Sequence, residues 1–167
     1  MTSSQKTANR LHRVAYDMQE VIEYLETLEA VIAVPPAEQP HYQAKLMQAL
    51  MAAAIVAYAR GFLGSRSGGN ATPMVDFKDV PVSGETWASE LHRNLMLKRN
   101  QAIAHGDWVQ HSTRLISADP GQGILRSGSI PDIWSGVRTG SFIELSNAVL
   151  HYARGQGFDL DMSSSLA

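Results

Sequence analysis

The 167-residue sequence contains no cysteine, which excludes disulfides, thiolate zinc sites and cysteine nucleophiles together. It has no long apolar run: the longest near-continuous one, from Ala49 to Ala59, is too short to cross a bilayer. The opening Met-Thr-Ser-Ser-Gln-Lys lacks the charged-then-apolar order of a secretory signal, so a cytoplasmic protein with no membrane partner is expected. Excess charge is also missing. A formal net charge of −2 excludes binding nucleic acid by bulk charge, so any such role needs a local patch. What is present, 44% apolar and 18% charged residues, is the balance of a folded chain of single-domain size.

Charge is unevenly placed. Residues 1–40 carry three basic residues against six acidic ones, whereas residues 90–126 carry five basic against three acidic. The acidic stretch reads as a solvated helix face; the basic bias in the middle is where an anionic ligand is sought.

Apolar spacing predicts four helices. Leu11, Val14, Met18, Val21, Leu25, Leu28 and Ile32 recur at steps of three or four from about Ala8 to Ala33, one stripe on a helix that Pro35-Pro36 ends. A second helix is predicted from after Pro40 to about Leu63, with Leu46, Leu50, Ala53, Ala57 and Tyr58 as its core face and Met47, Met51 and Ile55 widening it. Residues 64–84 read as a long connection in which prolines oppose a regular helix. A third helix is predicted from about Glu85 to His105, with Trp87, Leu91, Leu95 and Ala102 on one side. Alternation around Pro120-Gly121 then predicts a β-hairpin within 106–126. Ser141 and Glu144 form a Ser-x-x-Glu capping box opening a fourth helix to about Arg154, with Phe142, Leu145, Val149 and Tyr152 inward. Residues 156–167 read as a flexible tail. The expected fold is therefore all-α, a single four-helix bundle over 1–155 with a small β-hairpin inserted between the third and fourth helices.

The candidate chemistry lies in Lys98-Arg99-Asn100-Gln101-Ala102-Ile103-Ala104-His105-Gly106-Asp107. Arginine suits a phosphate because its planar fork makes bidentate, charge-assisted contacts. A histidine in the last turn of a helix has its protonated form favoured by the dipole and titrates near neutrality, which suits acid–base work. On an ideal helix Arg99 and His105 stand about 120° apart and about 9 Å along the axis. They meet only in a shared groove or across a two-fold axis. The alternative is structural: Arg99 bridges to a glutamate of the first helix, and His105 bonds the last carbonyls of its own helix. Tyr58 and Arg60 are candidates to join the groove as stacking and phosphate contacts, with Tyr58 as a core residue the competing reading.

The run Arg99-Asn100-x-x-x-x-His105, followed by Gly106-Asp107, resembles the signature of the HEPN superfamily, an arginine, a polar residue and a histidine after a short gap. The strict resemblance covers fewer than ten residues, and the helix order extends it loosely over most of the chain. It implies a dimerising helical bundle that acts as a metal-independent endoribonuclease, in settings such as toxin–antitoxin pairs or phage defence, or one that only binds nucleotides, RNA or protein. Carried onto this chain, it implies Arg99, Asn100 and His105 as catalytic residues, with Lys98, Asp107, Tyr58 and Arg60 as candidate substrate contacts. It implies RNA or a nucleotide as ligand, a homodimer, an antitoxin protein as a further partner, and neither metal nor cofactor. Other motifs are missing from the sequence: no Gly-rich phosphate loop with a following lysine, no His-Glu-x-x-His helix and no Gly-x-Ser-x-Gly elbow.

Overall fold

The computed structural model describes residues 3–34, 40–63, 75–103, 114–119, 122–126 and 136–165. Four helices, α1 (Ser3–Ala33), α2 (Pro40–Arg60), α3 (Thr86–Ile103) and α4 (Thr139–Ser165), form a helical bundle. Helix α1 packs along both α2 and α4, and α3 packs on the far side of α2. Two 3-10 turns, Phe77–Asp79 and Pro81–Gly84, lead into α3. Asp76 caps the first of them, its carboxylate accepting from the Lys78 N–H at 3.1 Å, as expected where a proline follows too soon for a regular helix. Between α3 and α4 the backbone of β1 (Arg114–Asp119) pairs antiparallel with β2 (Gln122–Arg126). Leu115 lies opposite Leu125 and Ile116 opposite Ile124, and the register shifts between Ser117 and Asp119. The rest of the segment expected to form the hairpin lies outside the described residues.

The α1 stripe is the backbone of the core. Leu11, Val14, Met18, Val21, Leu25 and Leu28 are all buried, as helical spacing requires. Ile32, expected inward, is 49% exposed, while Gln43 of α2 donates to the Val31 and Val34 carbonyls at the same end of α1. On α2 the predicted Ala57 and Tyr58, with Met51 and Ile55 beside them, are buried together with Ala54 and Ala59, whereas the predicted Leu46, Met47, Leu50 and Ala53 are only half-buried. Such a helix is apolar nearly all round, so its own sequence does not select a face; the position of α1 and α3 on either side of it does.

Helix α4 departs most from expectation. It begins at Thr139, with the Phe142 N–H donating to the Arg138 carbonyl at 2.9 Å, so Ser141 sits in the first turn and does not cap it. It also continues through Gly155 and Gly157 to Ser165, correcting the flexible tail expected from residue 156. Gly157 is buried against α1: a Cβ there would stand 3.4 Å from His12 Cε1 and 3.7 Å from Leu11 Cβ. An added methyl group would make only ordinary contact there, so Gly157 is neither a helix stop nor a residue that packing demands.

An aromatic cluster joins α2, the 3-10 turns, α3 and α4. The Tyr58 ring lies 5.0 Å from Phe62 and 5.5 Å, edge-on, from Phe142. Phe62 approaches Phe77 edge-on at 6.0 Å. His92 on α3 meets Tyr58 and Phe62 edge-on at 5.9 and 4.7 Å; aromatic pairs each add about 0.5–1.5 kcal/mol beyond area burial, so this cluster fixes α3 relative to α2. It thereby sets where the candidate residues on α3 stand. No helix among the described residues is long and apolar enough to cross a membrane.

Candidate functional site

Arg99 and Asn100 occupy the C-terminal part of α3. Arg99 is half-buried and its Nη1 donates to Asn100 Oδ1 at 3.1 Å; Asn100 is exposed. Arg99 has no carboxylate partner among the described residues, so the structural alternative of a bridge to a first-helix glutamate is not what this helix makes. That bridge belongs to Arg60. The Arg60 guanidinium bonds Glu20 on α1 and lies 3.1 Å from Asp17 Oδ1, while Arg13 approaches the same oxygen at 3.6 Å. Asp17 is only 1% exposed. Its removal from water raises its pKa, the charges of Arg60 and Arg13 lowering it only in part.

The expected site is therefore divided. Arg60, a candidate phosphate contact, is committed to α1 carboxylates. Tyr58, a candidate stacking residue, is fully buried and has no surface to offer a substrate. Lys98 is buried as well, at 6% exposure, and is engaged within the protein. Only Arg99 and Asn100 of the described candidates stay together near the surface. His105 and Asp107 lie outside the described residues.

One residue of the site carried no warning in the sequence. His92 follows Ala88 by four positions and precedes Leu95 by three, which places it on the buried side of α3; that spacing was the available signal. Its ring stacks on Phe77 with centroids 4.0 Å apart and 4° between planes, and meets Phe62 edge-on at 4.7 Å. Nδ1 stands 2.9 Å from the Tyr58 hydroxyl. Burial pulls the imidazole pKa from 6.5 down to about 4, with the Asp76 carboxylate opposing this in part. Burial also keeps the Tyr58 phenol protonated well beyond its ordinary range. A neutral ring and a protonated phenol make this an uncharged hydrogen bond, whose direction follows the tautomer of the ring.

His92 and Asn100 line one cavity of about 340 Å³, with Leu63, Arg93, Met96 and Leu97. That is the lower end of the size range of small-molecule sites, about 300–1,000 Å³. The cavity is mainly apolar with an amide, a guanidinium and a neutral imidazole at its wall, an arrangement that suits a ring beside an anionic group. Among the described residues no cluster of three or more histidine, aspartate or glutamate side chains is placed to hold a metal ion. Comparison with family models, curated proteins and solved structures finds no match for the chain.

Proposed function

We propose that this protein is a HEPN-type, metal-independent endoribonuclease in which Arg99, Asn100 and His105 act on one phosphodiester. The observation that supports this reading most is the division of labour between two arginines. Arg60 pairs with the α1 carboxylates, and among the described residues the Arg99 guanidinium has only the neutral Asn100 amide beside it. An arginine so placed keeps its charge for an anion from outside.

In the proposed reaction the ribose 2′-oxygen attacks the adjacent phosphorus and the bond to the 5′-oxygen breaks. The products are a 2′,3′-cyclic phosphate and a 5′-hydroxyl. The 2′-hydroxyl proton leaves with a base and a proton is delivered to the departing 5′-oxygen; His105 serves one of these transfers. Arg99 stabilises the extra negative charge on the phosphorane, and Asn100 holds Arg99 through their hydrogen bond. The nucleophile belongs to the substrate, so the step requires no metal, and DNA, which lacks the 2′-hydroxyl, is not a substrate. Two copies of the chain would place two such motifs in one composite groove, and a toxin of this kind would be held in check by an antitoxin protein.

The Arg99–Asn100 hydrogen bond also favours a second reading, a non-catalytic module that binds RNA or a nucleotide. One assay separates the two. Purified protein incubated with RNA in EDTA is expected to cleave it, with Arg99→Ala and His105→Ala each lowering the rate by about 10²-fold or more. Cleavage that persists in both variants removes the assignment; binding without cleavage in the native protein leaves the second reading.

A further inference from the structure

Beyond the cavity lined by His92 and Asn100, α3 borders a larger groove of about 1030 Å³ that runs to the start of α4. Arg93 on α3 and Arg138 just before α4 both line it. Both are exposed, and neither has an ion-pair partner among the described residues. The Glu90 carboxylate lines the same groove, so it offsets one of the two guanidiniums and the balance stays positive, with the positive end of the α4 dipole adding to it.

The rest of the groove is firmly built. The half-buried Trp87 indole forms part of the wall, and its Nε1 is bonded to Glu85, which fixes the plane of the ring. Asn94 Nδ2 donates to the Gly136 carbonyl at 3.2 Å, tying α3 to the chain just before Arg138. Gly136 has φ +73°, and a Cβ there would stand 2.7 Å from Asn94 Nδ2. The positive φ favours glycine here, and the contact ties the chain next to Arg138 to the helix that carries Arg93. An indole and two guanidiniums lining one groove are the combination that takes a nucleobase by stacking and its flanking phosphates by charge. Arg93 and Leu97 line both this groove and the cavity that holds Asn100, so the two form a continuous track over the surface of α3.

We infer that this groove binds single-stranded RNA, with phosphates on Arg93 and Arg138 and a base against Trp87, and leads the strand to Arg99. The inference rests on the ribonuclease reading for its choice of RNA, but its test does not depend on cleavage. The probe is a short, fluorescein-labelled single-stranded RNA with every 2′-oxygen methylated, which the 2′-hydroxyl route cannot cut. Binding is followed by fluorescence anisotropy across a salt series.

The Arg93→Gln/Arg138→Gln double variant should bind this probe about tenfold more weakly. Its log-affinity against log-salt slope should be shallower by about 1.4, the release expected for two phosphate contacts on a single strand. Both positions are exposed, so the variant should keep its native circular dichroism. Trp87→Leu should weaken binding with the salt slope unchanged, and Trp87→Phe should restore most of it, which separates stacking from charge. Unchanged affinity and slope in the double variant overturns the groove and leaves the nuclease reading to its own assay. Failure of the native protein to bind the probe overturns it too. Binding that depends on Arg93 and Arg138 in a protein that cuts no RNA upholds the groove and removes only the cleavage.

Discussion

Replacing Arg60 by alanine takes a counter-charge from a carboxylate that is 1% exposed. For a fully buried ion pair, loss of one partner costs about 3–5 kcal/mol, because the charge left behind stays desolvated. Here the guanidinium is itself 43% exposed and Arg13 remains 3.6 Å from the same Asp17 oxygen. Screening and the second arginine together reduce the expected cost to about 2 kcal/mol. Asp17→Asn alone should cost less than about 1 kcal/mol, since ionised Asp17 is penalised by burial even with both arginines present. In the double variant no charge is stranded, so Asp17→Asn should recover about half or more of the Arg60→Ala loss.

Acid provides an independent check of the same pair. Asp17 has its folded pKa raised above 3.8, so its favourable linkage is complete below 3.8 and is lost as pH rises through the folded value. Removing Arg60 raises the folded pKa further. The Arg60→Ala deficit should therefore shrink as the pH is lowered toward 4. Urea unfolding followed by far-UV circular dichroism reads all of this, the 2 kcal/mol appearing as a midpoint shift of about 1 M. If the double variant is as unstable as the sum of the singles, Arg60 does not serve Asp17. The contrast with Arg99 on which the functional reading rests would then be wrong.

Two further outcomes follow from the same structure. His92 has its folded pKa held at about 4 against 6.5 when unfolded, so its contribution is complete above 6.5 and declines as pH falls toward 4. The full gap corresponds to about 3 kcal/mol. Discounted for the solvent that still reaches the half-buried ring, it is about 1–2 kcal/mol; His92→Gln should flatten the stability profile over that range, and a profile as steep as the native one would refute the assignment. Gly155→Ala, in a helix interior with nothing within 4 Å of the added Cβ, should stabilise the protein by about 0.5–1 kcal/mol in the same urea assay; destabilisation would mean that α4 does not continue past Arg154 in solution.

Much of the bundle was legible because α1 and α4 each present one strongly periodic stripe, from Leu11 to Leu28 and from Phe142 to Val149. The face of α2 was legible only in part, at Met51, Ile55, Ala57 and Tyr58, because a helix rich in alanine and methionine on all sides takes its orientation from its neighbours. The end of α4 was misread because glycine is a helix stop by local preference, and the contact of Gly157 with Leu11 and His12 of α1 comes from far away in the sequence. Within the site, the Arg99–Asn100 pair could be read from adjacency. The exchange of roles between Arg60 and Arg99 could not, since it depends on which helix lies along α1, and Arg60 meets Glu20 from 40 positions away. His92 escaped notice because a single polar residue inside an apolar stripe gives no pattern until its partners, Phe77 and Tyr58, arrive from other elements.

The most direct measurement is the chemistry of the cut ends. RNA digested by the native protein in EDTA should yield fragments ending in 2′,3′-cyclic phosphate and beginning with 5′-hydroxyl, with no such fragments from Arg99→Ala. Fragments carrying 3′-hydroxyl and 5′-phosphate ends, or cyclic-phosphate ends formed at an undiminished rate without Arg99, would contradict the account.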